Sequence, residues 1–200
     1  MSEAPNENKP PKLNFVLDSL RPDLGGNLRY GDPATFSPKV WSYVIECLAI
    51  GSVLDVGSGE GYAARWFHRH GLVSYACEGL EENVRRAVHP TIHHDLTSGS
   101  LNCPVDLVHC VEVVEHIDVE YLDNLMHTLA NGRFVLMTHA FPGQPGHHHV
   151  NCQNGSYWVE RFAEFGYQLH EPHTGCIRKI AAEEVVPTFF TQSGLLFVRG

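Results

Sequence analysis

Short apolar runs alternate with amphipathic segments along most of the chain. Residues 52–56 form an apolar run that stops at a glycine cluster, as is typical of a buried strand. Before it, Ser37 and Pro38 provide an N-cap and a first-turn proline, and apolar residues recur at helical spacing up to about Ala49. This alternation of strand and helix patterns predicts an α/β protein with a mostly parallel sheet.

The same patterns predict seven strands, at residues 52–56, 73–77, 91–94, 105–111, 133–138, 167–170 and 195–199. Helices are predicted at about residues 38–49, 60–70, 81–88, 119–130 and 157–165, with a short one near residues 15–20. Residues 139–154 are a loop rich in Gly, Pro and His, and a helix or an irregular piece joins the last two strands. With neither repeat nor linker, we expect one domain over residues 13–200, its lead-in (13–36) acting as a lid, after a disordered polar tail (1–12).

Composition narrows the class of protein. Of 200 residues, 43% are hydrophobic and 18% charged, which fits a globular chain. The net charge of −9 argues against a protein that mainly grips nucleic acid, which usually needs a basic face. No apolar run is long enough to span a membrane or resembles a signal peptide, so we expect a cytoplasmic protein with no membrane partner, either a monomer or a homodimer.

The six cysteines fit this picture. They form no C-x-x-C pair and lie mostly inside apolar runs, which favours buried reduced thiols over disulfides or a zinc–thiolate site. The 14 histidines are more unusual, since histidine is both a pH-sensitive group and a common metal ligand.

A glycine-rich loop follows the first predicted strand of the sheet. Gly57, Gly59 and Gly61 allow a tight turn and a close approach of the backbone to a ligand. Glu78 lies 23 residues after Asp55, at the end of the next strand, where an acid can accept hydrogen bonds from both hydroxyls of a ribose. The loop alone is compatible with a plain tight turn.

The loop, with Asp55 two residues before its first glycine, resembles motif I of the class I S-adenosylmethionine (SAM)-dependent methyltransferases. The resemblance covers about residues 37–200 and continues through Glu78, through His94-Asp95-Leu96 and through residues 106–116. It implies a Rossmann-like three-layer α/β sandwich. The seven-stranded sheet would be mostly parallel, with an antiparallel last strand inserted near one edge.

The resemblance also implies SAM as cofactor and assigns residues to it: Asp55, Gly57, Gly59, Gly61, Glu78, Asp95 and Cys110. The glycines would pass under the methionine part, and Asp55 would lie near its amino group or order the loop. Glu78 would hold the ribose hydroxyls. Asp95 would face the adenine amino group, although a helix N-cap or a solvated turn is the alternative for this residue. The segment from Cys110 to Glu112 would line the place where the methyl group is delivered.

A second cluster follows the fourth predicted strand. Glu112, Glu115 and His116 are spaced i, i+3 and i+4, so a helical turn starting there would place all three on one face. Two carboxylates and an imidazole are half of a plausible divalent-metal site. His147, His148 and His149 follow the fifth strand and offer a further ligand at the same edge of the sheet, without indicating which of the three faces it.

This cluster resembles two branches of the family, the O-methyltransferases of quinone biosynthesis and the small-RNA 3′-end 2′-O-methyltransferases. In the RNA branch a Glu-x-x-Glu-His set and a later histidine, best matched here by His149, hold a metal at the acceptor hydroxyls. The resemblance therefore implies a divalent-metal site (Mg²⁺ or Mn²⁺) at Glu112, Glu115, His116 and His149. It gives His116, His149 and Glu112 catalytic roles. A histidine base without metal and a purely structural role remain the alternatives.

The sequence thus predicts a SAM-dependent methyltransferase that methylates a hydroxyl of a small molecule or a carbohydrate. The acidic charge favours such an acceptor over RNA. RNA 2′-O-methylation and a SAM-binding module without transfer activity are the two alternatives.

Overall fold

The computed structural model describes residues 14–15, 21–24 and 28–200. Two short strands, β1 (Asn14–Phe15) and β2 (Leu28–Arg29), form a separate antiparallel pair. Seven further strands form the main sheet: β3 (Ser52–Val56), β4 (Val73–Glu78), β5 (Ile92–His93), β6 (Val105–Cys110), β7 (Gly132–Met137), β8 (Tyr167–Leu169) and β9 (Leu195–Arg199).

The sheet has the strand order β5-β4-β3-β6-β7-β9-β8. Neighbouring strands from β5 to β7 are parallel, whereas β9 is antiparallel to both β7 and β8. The last strand is therefore inserted beside the edge strand in the opposite direction. This confirms the predicted seven-stranded, mostly parallel sheet with an antiparallel last strand.

Helices cover both faces of the sheet: α1 (Pro38–Leu48), α2 (Tyr62–Arg69), α3 (Glu81–Arg86), α4 (Leu122–Leu129), α5 (Gly155–Glu164), α6 (Glu171–Ala181) and α7 (Phe190–Ser193). One hydrophobic core packs the sheet against α4 and α5, with Trp158 and Phe162 fully buried in it. The other core packs the opposite face against α1, α2, α6 and α7 and includes Trp41 and Phe67. Two helical layers around one sheet give the predicted three-layer sandwich.

The central strand shows why the sequence folds in this way. Side chains of a strand alternate between the two faces of the sheet, and Val53 enters one core while Leu54 and Val56 enter the other. Because both faces are covered, the strand needs apolar residues at successive positions instead of at alternate ones. Asp55 is the exception, a buried acid at the end of an apolar run.

The structure modifies a few predicted elements. The helix predicted near residues 15–20 lies mostly outside the described residues, as does the predicted tail, and Phe15 itself is in β1. The helix predicted at 119–130 begins with a 3₁₀ turn, Val119–Tyr121, whose N-cap Asp118 accepts a hydrogen bond from the Glu120 amide. The segment joining the last two strands is helical, because it forms α6 and α7. No helix among the described residues is long and apolar enough to cross a membrane.

Candidate active site

The glycine loop after β3 has a backbone that only glycine adopts easily. Gly57, Gly59 and Gly61 have φ angles of 67°, 55° and 78°, in the left-handed region. Gly57 is also closely covered, because a Cβ atom on it would lie 2.4 Å from the Val113 Cγ2 atom. The Ser58 amide donates a 3.0 Å hydrogen bond to the Cys77 carbonyl, which fixes the loop against the end of β4.

Glu78 joins this loop to the next strand. Its carboxylate accepts 2.8 Å hydrogen bonds from the amides of Gly59 and Leu80. Burial disfavours the charged form and raises the pKa of Glu78 to about 7, although the backbone donors oppose that rise. Glu78 lines the cleft beside the glycine loop, and its contact with the ribose hydroxyls stays a prediction.

A cleft opens at the carboxyl ends of β3, β4 and β6, where ligands bind in open α/β sheets. Its lining comes from several chain segments: Leu24, Gly57, Gly59, Cys77, Glu78, Gly79, Asn83, His94, Leu96, Glu112, Val113, His116 and Ile117. The structure therefore brings the glycine loop and Glu78 to the same cleft as Glu112 and His116. Leu24, from the lead-in, also lines the cleft, and sequence reasoning did not identify it.

Four of the residues predicted to bind SAM do not line the cleft. Asp55 is buried below the loop, and its Oδ1 lies 2.7 Å from His109 Nδ1. Because the Trp41 indole donates to His109 Nε2, the imidazole proton must be on Nδ1 and is donated to Asp55. This contact joins β3 to β6 and does not involve the glycine loop, so a role for Asp55 in ordering the loop or binding SAM stays a prediction.

Asp95 uses its carboxylate for other contacts. Oδ1 accepts hydrogen bonds from the Thr97 amide and hydroxyl at 2.8 and 2.7 Å, while Oδ2 forms a 3.0 Å ion pair with Arg21. The turn predicted as the alternative is therefore present, although its neighbours His94 and Leu96 do line the cleft. A direct contact from Asp95 to adenine stays a prediction.

Gly61 and Cys110 are also set back from the cleft. Gly61 is the N-cap of α2, and a Cβ atom there would lie 3.3 Å from His89 Cβ. Cys110 is fully buried in the core, and this burial raises the pKa of its thiol well above the usual range. A direct contact of either residue with SAM stays a prediction.

Glu112 has a strained backbone that Thr138 supports. Its φ of 54° is in the left-handed region, which costs a non-glycine residue about 1–3 kcal/mol. The buried Thr138 hydroxyl accepts a hydrogen bond from the Glu112 amide and donates one to Glu112 Oε1, each at 2.9 Å. Sequence reasoning missed Thr138, because a single threonine at the end of a strand forms no pattern.

The helical turn expected after β6 is shorter than the spacing suggested. A 3₁₀ turn covers Val114–His116, so Glu112 precedes the turn instead of sharing its face. Within the turn, Glu115 has 0% exposure, and neither of its carboxylate oxygens accepts a hydrogen bond from an N–H or O–H group of the described residues, although the Glu112 carboxyl group lies within hydrogen-bond reach. Burial and the Glu112 carboxylate raise the pKa of Glu115 well above its usual range. A buried carboxylate of this kind requires a proton or a cation.

The histidine loop is bound to this turn. The backbone amides of Val150 and Asn151 both donate 3.0 Å hydrogen bonds to the Glu115 carbonyl. This brings the His149 ring to 5.1 Å from the His116 ring, measured between centroids, whereas His147 is exposed. Of the three consecutive histidines, His149 is therefore the one at the acidic cluster.

One ligand atom each from Glu115, His116 and His149 lie within 4.8 Å of one another. His116 Nδ1 lies 3.3 Å from the His148 carbonyl, and His149 Nδ1 lies 3.1 Å from the Gln144 carbonyl. Donation from Nδ1 leaves Nε2 with the lone pair on each ring, which is how metal-binding histidines are commonly oriented. Burial and the nearby His149 lower the pKa of His116 to about 4, so the ring is neutral at pH 7.

Comparison with known proteins identifies the family. A family model described as a methyltransferase domain matches residues 27–179. The chain belongs to this methyltransferase family. The match covers most of the sheet, the glycine loop and the acidic cluster, and it identifies the protein as a SAM-dependent methyltransferase.

Solved methyltransferases have the same fold at low sequence identity. The magnesium protoporphyrin IX methyltransferase ChlM from Synechocystis PCC 6803 with bound S-adenosylhomocysteine (SAH) is 16% identical, with a TM-score of 0.58 over 94% of this chain and 90% of that one. A SAM-dependent methyltransferase from Archaeoglobus fulgidus is 14% identical, with a TM-score of 0.57 over 82% and 92%. The methyltransferase domain of the bacterial protein CtHen1-C is 12% identical, with a TM-score of 0.55 over 82% and 98%. No curated protein matches the chain significantly.

Proposed function

We propose that this methyltransferase transfers the methyl group of SAM to a hydroxyl of a small molecule or a carbohydrate, with assistance from a divalent cation. The observation that carries the proposal is the buried Glu115 carboxylate. Its two oxygens accept no hydrogen bond from an N–H or O–H group of the described residues, and it lies beside the Glu112 carboxyl group and two histidines whose ligand atoms are within reach. An amine acceptor would not need such a site, because a neutral amine requires only a path for its proton.

The donor set fits a divalent cation. Glu115, His116 and His149 would hold it, and Glu112 lies at the mouth of the same site. A cation bound there would polarise the acceptor hydroxyl and lower its pKa. Of Mg²⁺ and Mn²⁺, two imidazoles and a carboxylate suit Mn²⁺ better, because Mg²⁺ prefers oxygen ligands and retained waters.

The chain's own residues would align the reaction. Methyl transfer from a sulfonium is an in-line displacement, so the acceptor oxygen must lie opposite the sulfur, and positioning supplies much of the rate. The glycine loop and Glu78 would hold the cofactor, while Glu112 and His116, which line the same cleft, would face the acceptor. Thr138 fixes the Glu112 carboxylate, and the His148 carbonyl orients the His116 ring.

Charge favours a small or sugar-like acceptor. The chain has 23 acidic and 14 basic residues, and Asp32 of the lead-in lies near enough to Glu112 for the two carboxylates to repel. A polyanion would meet repulsion there. RNA 2′-O-methylation is the second candidate, because the Glu-x-x-Glu-His spacing with a later histidine resembles the RNA branch and a Hen1 methyltransferase domain shares the fold.

The test uses protein purified without a histidine tag. We expect bound Mn²⁺ by metal analysis and loss of hydroxyl methylation after chelation, with recovery on adding Mn²⁺. Glu115→Gln and His149→Asn should lose both metal and activity, whereas His127→Asn, on the exposed face of α4, should keep both. Full activity in chelator would overturn the metal role. Turnover on short RNA 3′ ends, and none on a panel of phenols, catechols and sugars, would favour the second candidate.

A further inference from the structure

A short segment of the lead-in crosses the cofactor end of the cleft. We call residues 21–24 the strap. Its 3₁₀ turn, Pro22–Leu24, is closed by a 3.1 Å hydrogen bond from the Leu24 amide to the Arg21 carbonyl. Leu24 lines the cleft together with Glu78 and Leu96, and a Cβ atom on Gly79 would lie 3.2 Å from Leu24 Cδ2. The leucine therefore covers the backbone that follows the ribose-binding acid.

Arg21 holds the strap between two carboxylates. Its guanidinium donates to Asp23 at 2.6 Å (Nη2 to Oδ2) and 2.9 Å (Nε to Oδ1). Nη2 also donates to Asp95 Oδ2 at 3.0 Å, across 74 positions of the sequence. Asp95 lies between His94 and Leu96, which both line the cleft. Without the guanidinium, the Asp23 and Asp95 carboxylates would repel each other, and the strap would lose its attachment to the far wall.

We propose that Arg21 is a positioning residue for SAM, because its ion pair with Asp95 holds Leu24 over the cofactor. By the resemblance, the ribose would lie at Glu78 and the adenine beside Leu96, and Leu24 lines the cleft together with both residues. A cofactor below Leu24 leaves only when the strap opens, so the Arg21–Asp95 ion pair sets the dissociation rate. Asp95 then acts on the cofactor through the strap, and the carboxylate holds Arg21 instead of adenine.

The first test measures binding of SAH by calorimetry and its dissociation by stopped-flow fluorescence. Arg21→Gln should raise Kd about fivefold, the size expected for a half-exposed ion pair, mainly through faster dissociation. Leu24→Ala should raise Kd about tenfold by removing apolar contact. Arg29→Gln is the matched control, because Arg29 lies on β2 in the same lead-in, is exposed and lies 5.3 Å from the Tyr30 ring. It should bind SAH as the wild type does.

The second test separates the strap from a direct contact. Asp95→Asn keeps an oxygen for the Thr97 bonds but loses the ion pair. If Asp95 acts through Arg21, the double variant should match Arg21→Gln in Kd, whereas Asp95→Asn, which leaves the Arg21–Asp23 pair in place, should raise Kd by no more than Arg21→Gln does. Raising the salt should speed dissociation more in the wild type than in any of these variants. Circular dichroism and melting curves check that each variant folds, and Arg21→Lys should fall between wild type and Arg21→Gln. Wild-type dissociation from Arg21→Gln, or additive effects in the double variant, would overturn the proposal.

Discussion

The Glu78 carboxyl group is buried, and its hydrogen-bond donors are amide groups. The amides of Gly59 and Leu80 hold its two oxygens, and burial raises its pKa to about 7. The hydroxyls of a bound ribose would donate to the ionised form and favour it. If Glu78 binds the ribose, cofactor binding below pH 7 releases a proton from Glu78, and the affinity for SAM then depends on the pH of the solution.

We expect the Kd for SAH to fall as the pH rises from about 5 to 7, by up to tenfold per unit, and then to level off. Calorimetry in two buffers of different ionisation enthalpy at about pH 6 should detect the released proton. Glu78→Gln should bind SAH more weakly and lose this pH dependence.

The stability of the cofactor-free protein should change with pH in the opposite direction to its affinity. A raised native pKa means that the folded state holds its proton more tightly, so Glu78 contributes a loss of stability as the pH rises from about 4.5 to 7. An affinity that is flat over this range would contradict the assignment.

The Thr138 hydroxyl holds both the backbone amide and the carboxylate of Glu112, so its loss should affect stability and catalysis together. Thr138→Val would leave the Glu112 amide unpaired in a left-handed backbone, which should destabilise the protein by about 1–3 kcal/mol. It would also release the Glu112 carboxylate and lower kcat more than KM for the acceptor. Chemical denaturation and steady-state kinetics measure the two effects. Thr138→Ser keeps the hydroxyl and should restore most of both, and equal activity of the two variants would show that Glu112 needs no such support.

At the scale of single residues, the sequence revealed site residues that are close together in the chain but not those that meet only through long-range contacts. Glu112, Glu115 and His116 are neighbours in sequence, so their chemistry was visible before the fold, and Gly57 and Glu78 lie at ends of predicted strands. His149 came from the resemblance, and the structure selects it over its two neighbours by docking the loop on the Glu115 carbonyl. Thr138 and Arg21 act through partners 26 and 74 positions away, and no local pattern marks such pairs.

At the scale of elements, the histidine loop shows how a segment without regular structure is held in place. Two amides bond to the Glu115 carbonyl, Gln153 donates its amide to the Ala140 carbonyl, and the His149 ring packs onto Gly146. A Cβ atom on Gly146 would lie 2.0 Å from His149 Nε2, closer than any real contact. The glycine is therefore needed where the ring lies, and the conformation of the loop sets the position of the ligand.

Gly146→Ala should displace the His149 ring without removing any proposed metal ligand. We expect weaker Mn²⁺ binding by calorimetry or paramagnetic resonance, by at least about tenfold, the size seen when a ligand loses its support. Gly99→Ala is the control, since no atom lies within 4 Å of a Cβ there. Both variants should bind SAH normally. Unchanged Mn²⁺ affinity in Gly146→Ala would mean that His149 does not hold the metal.

Element boundaries followed the physics of burial. Strands buried on both faces appear as continuous apolar runs, which is why β3 matches its predicted limits residue for residue. The turn after β6 did not follow its i, i+3, i+4 spacing. Glu112 has a left-handed backbone and is hydrogen-bonded to Thr138, so the 3₁₀ turn begins at Val114 instead of at Glu112. These hydrogen bonds to Thr138 form only in the folded structure, so local spacing could not reveal them. Local spacing indicates which residues converge but not which backbone brings them together.

At the scale of the whole molecule, strand order explains why distant motifs meet. The carboxyl ends of β3, β4, β6 and β7 lie at one edge of the sheet, so the loop, Glu78, Glu112 and Thr138 converge there. The alternation of elements and the resemblance predicted this arrangement. The strap was less predictable, because a lid was expected from the lead-in but its attachment to Asp95 depends on the folded sheet.

The charge of the whole molecule leads to a prediction about its acceptor. With 23 acidic and 14 basic residues, few cations are available to replace the counterions of a nucleic acid. We expect no saturable binding of a single-stranded RNA oligonucleotide in fluorescence anisotropy at about pH 8, even near 20 mM salt, because each phosphate contact must be made by a cation. Tight binding at pH 8 that weakens steeply with salt would reveal a local basic surface and favour an RNA hydroxyl as the acceptor. Absence of binding, together with turnover on a neutral sugar or phenol, would favour the small acceptor.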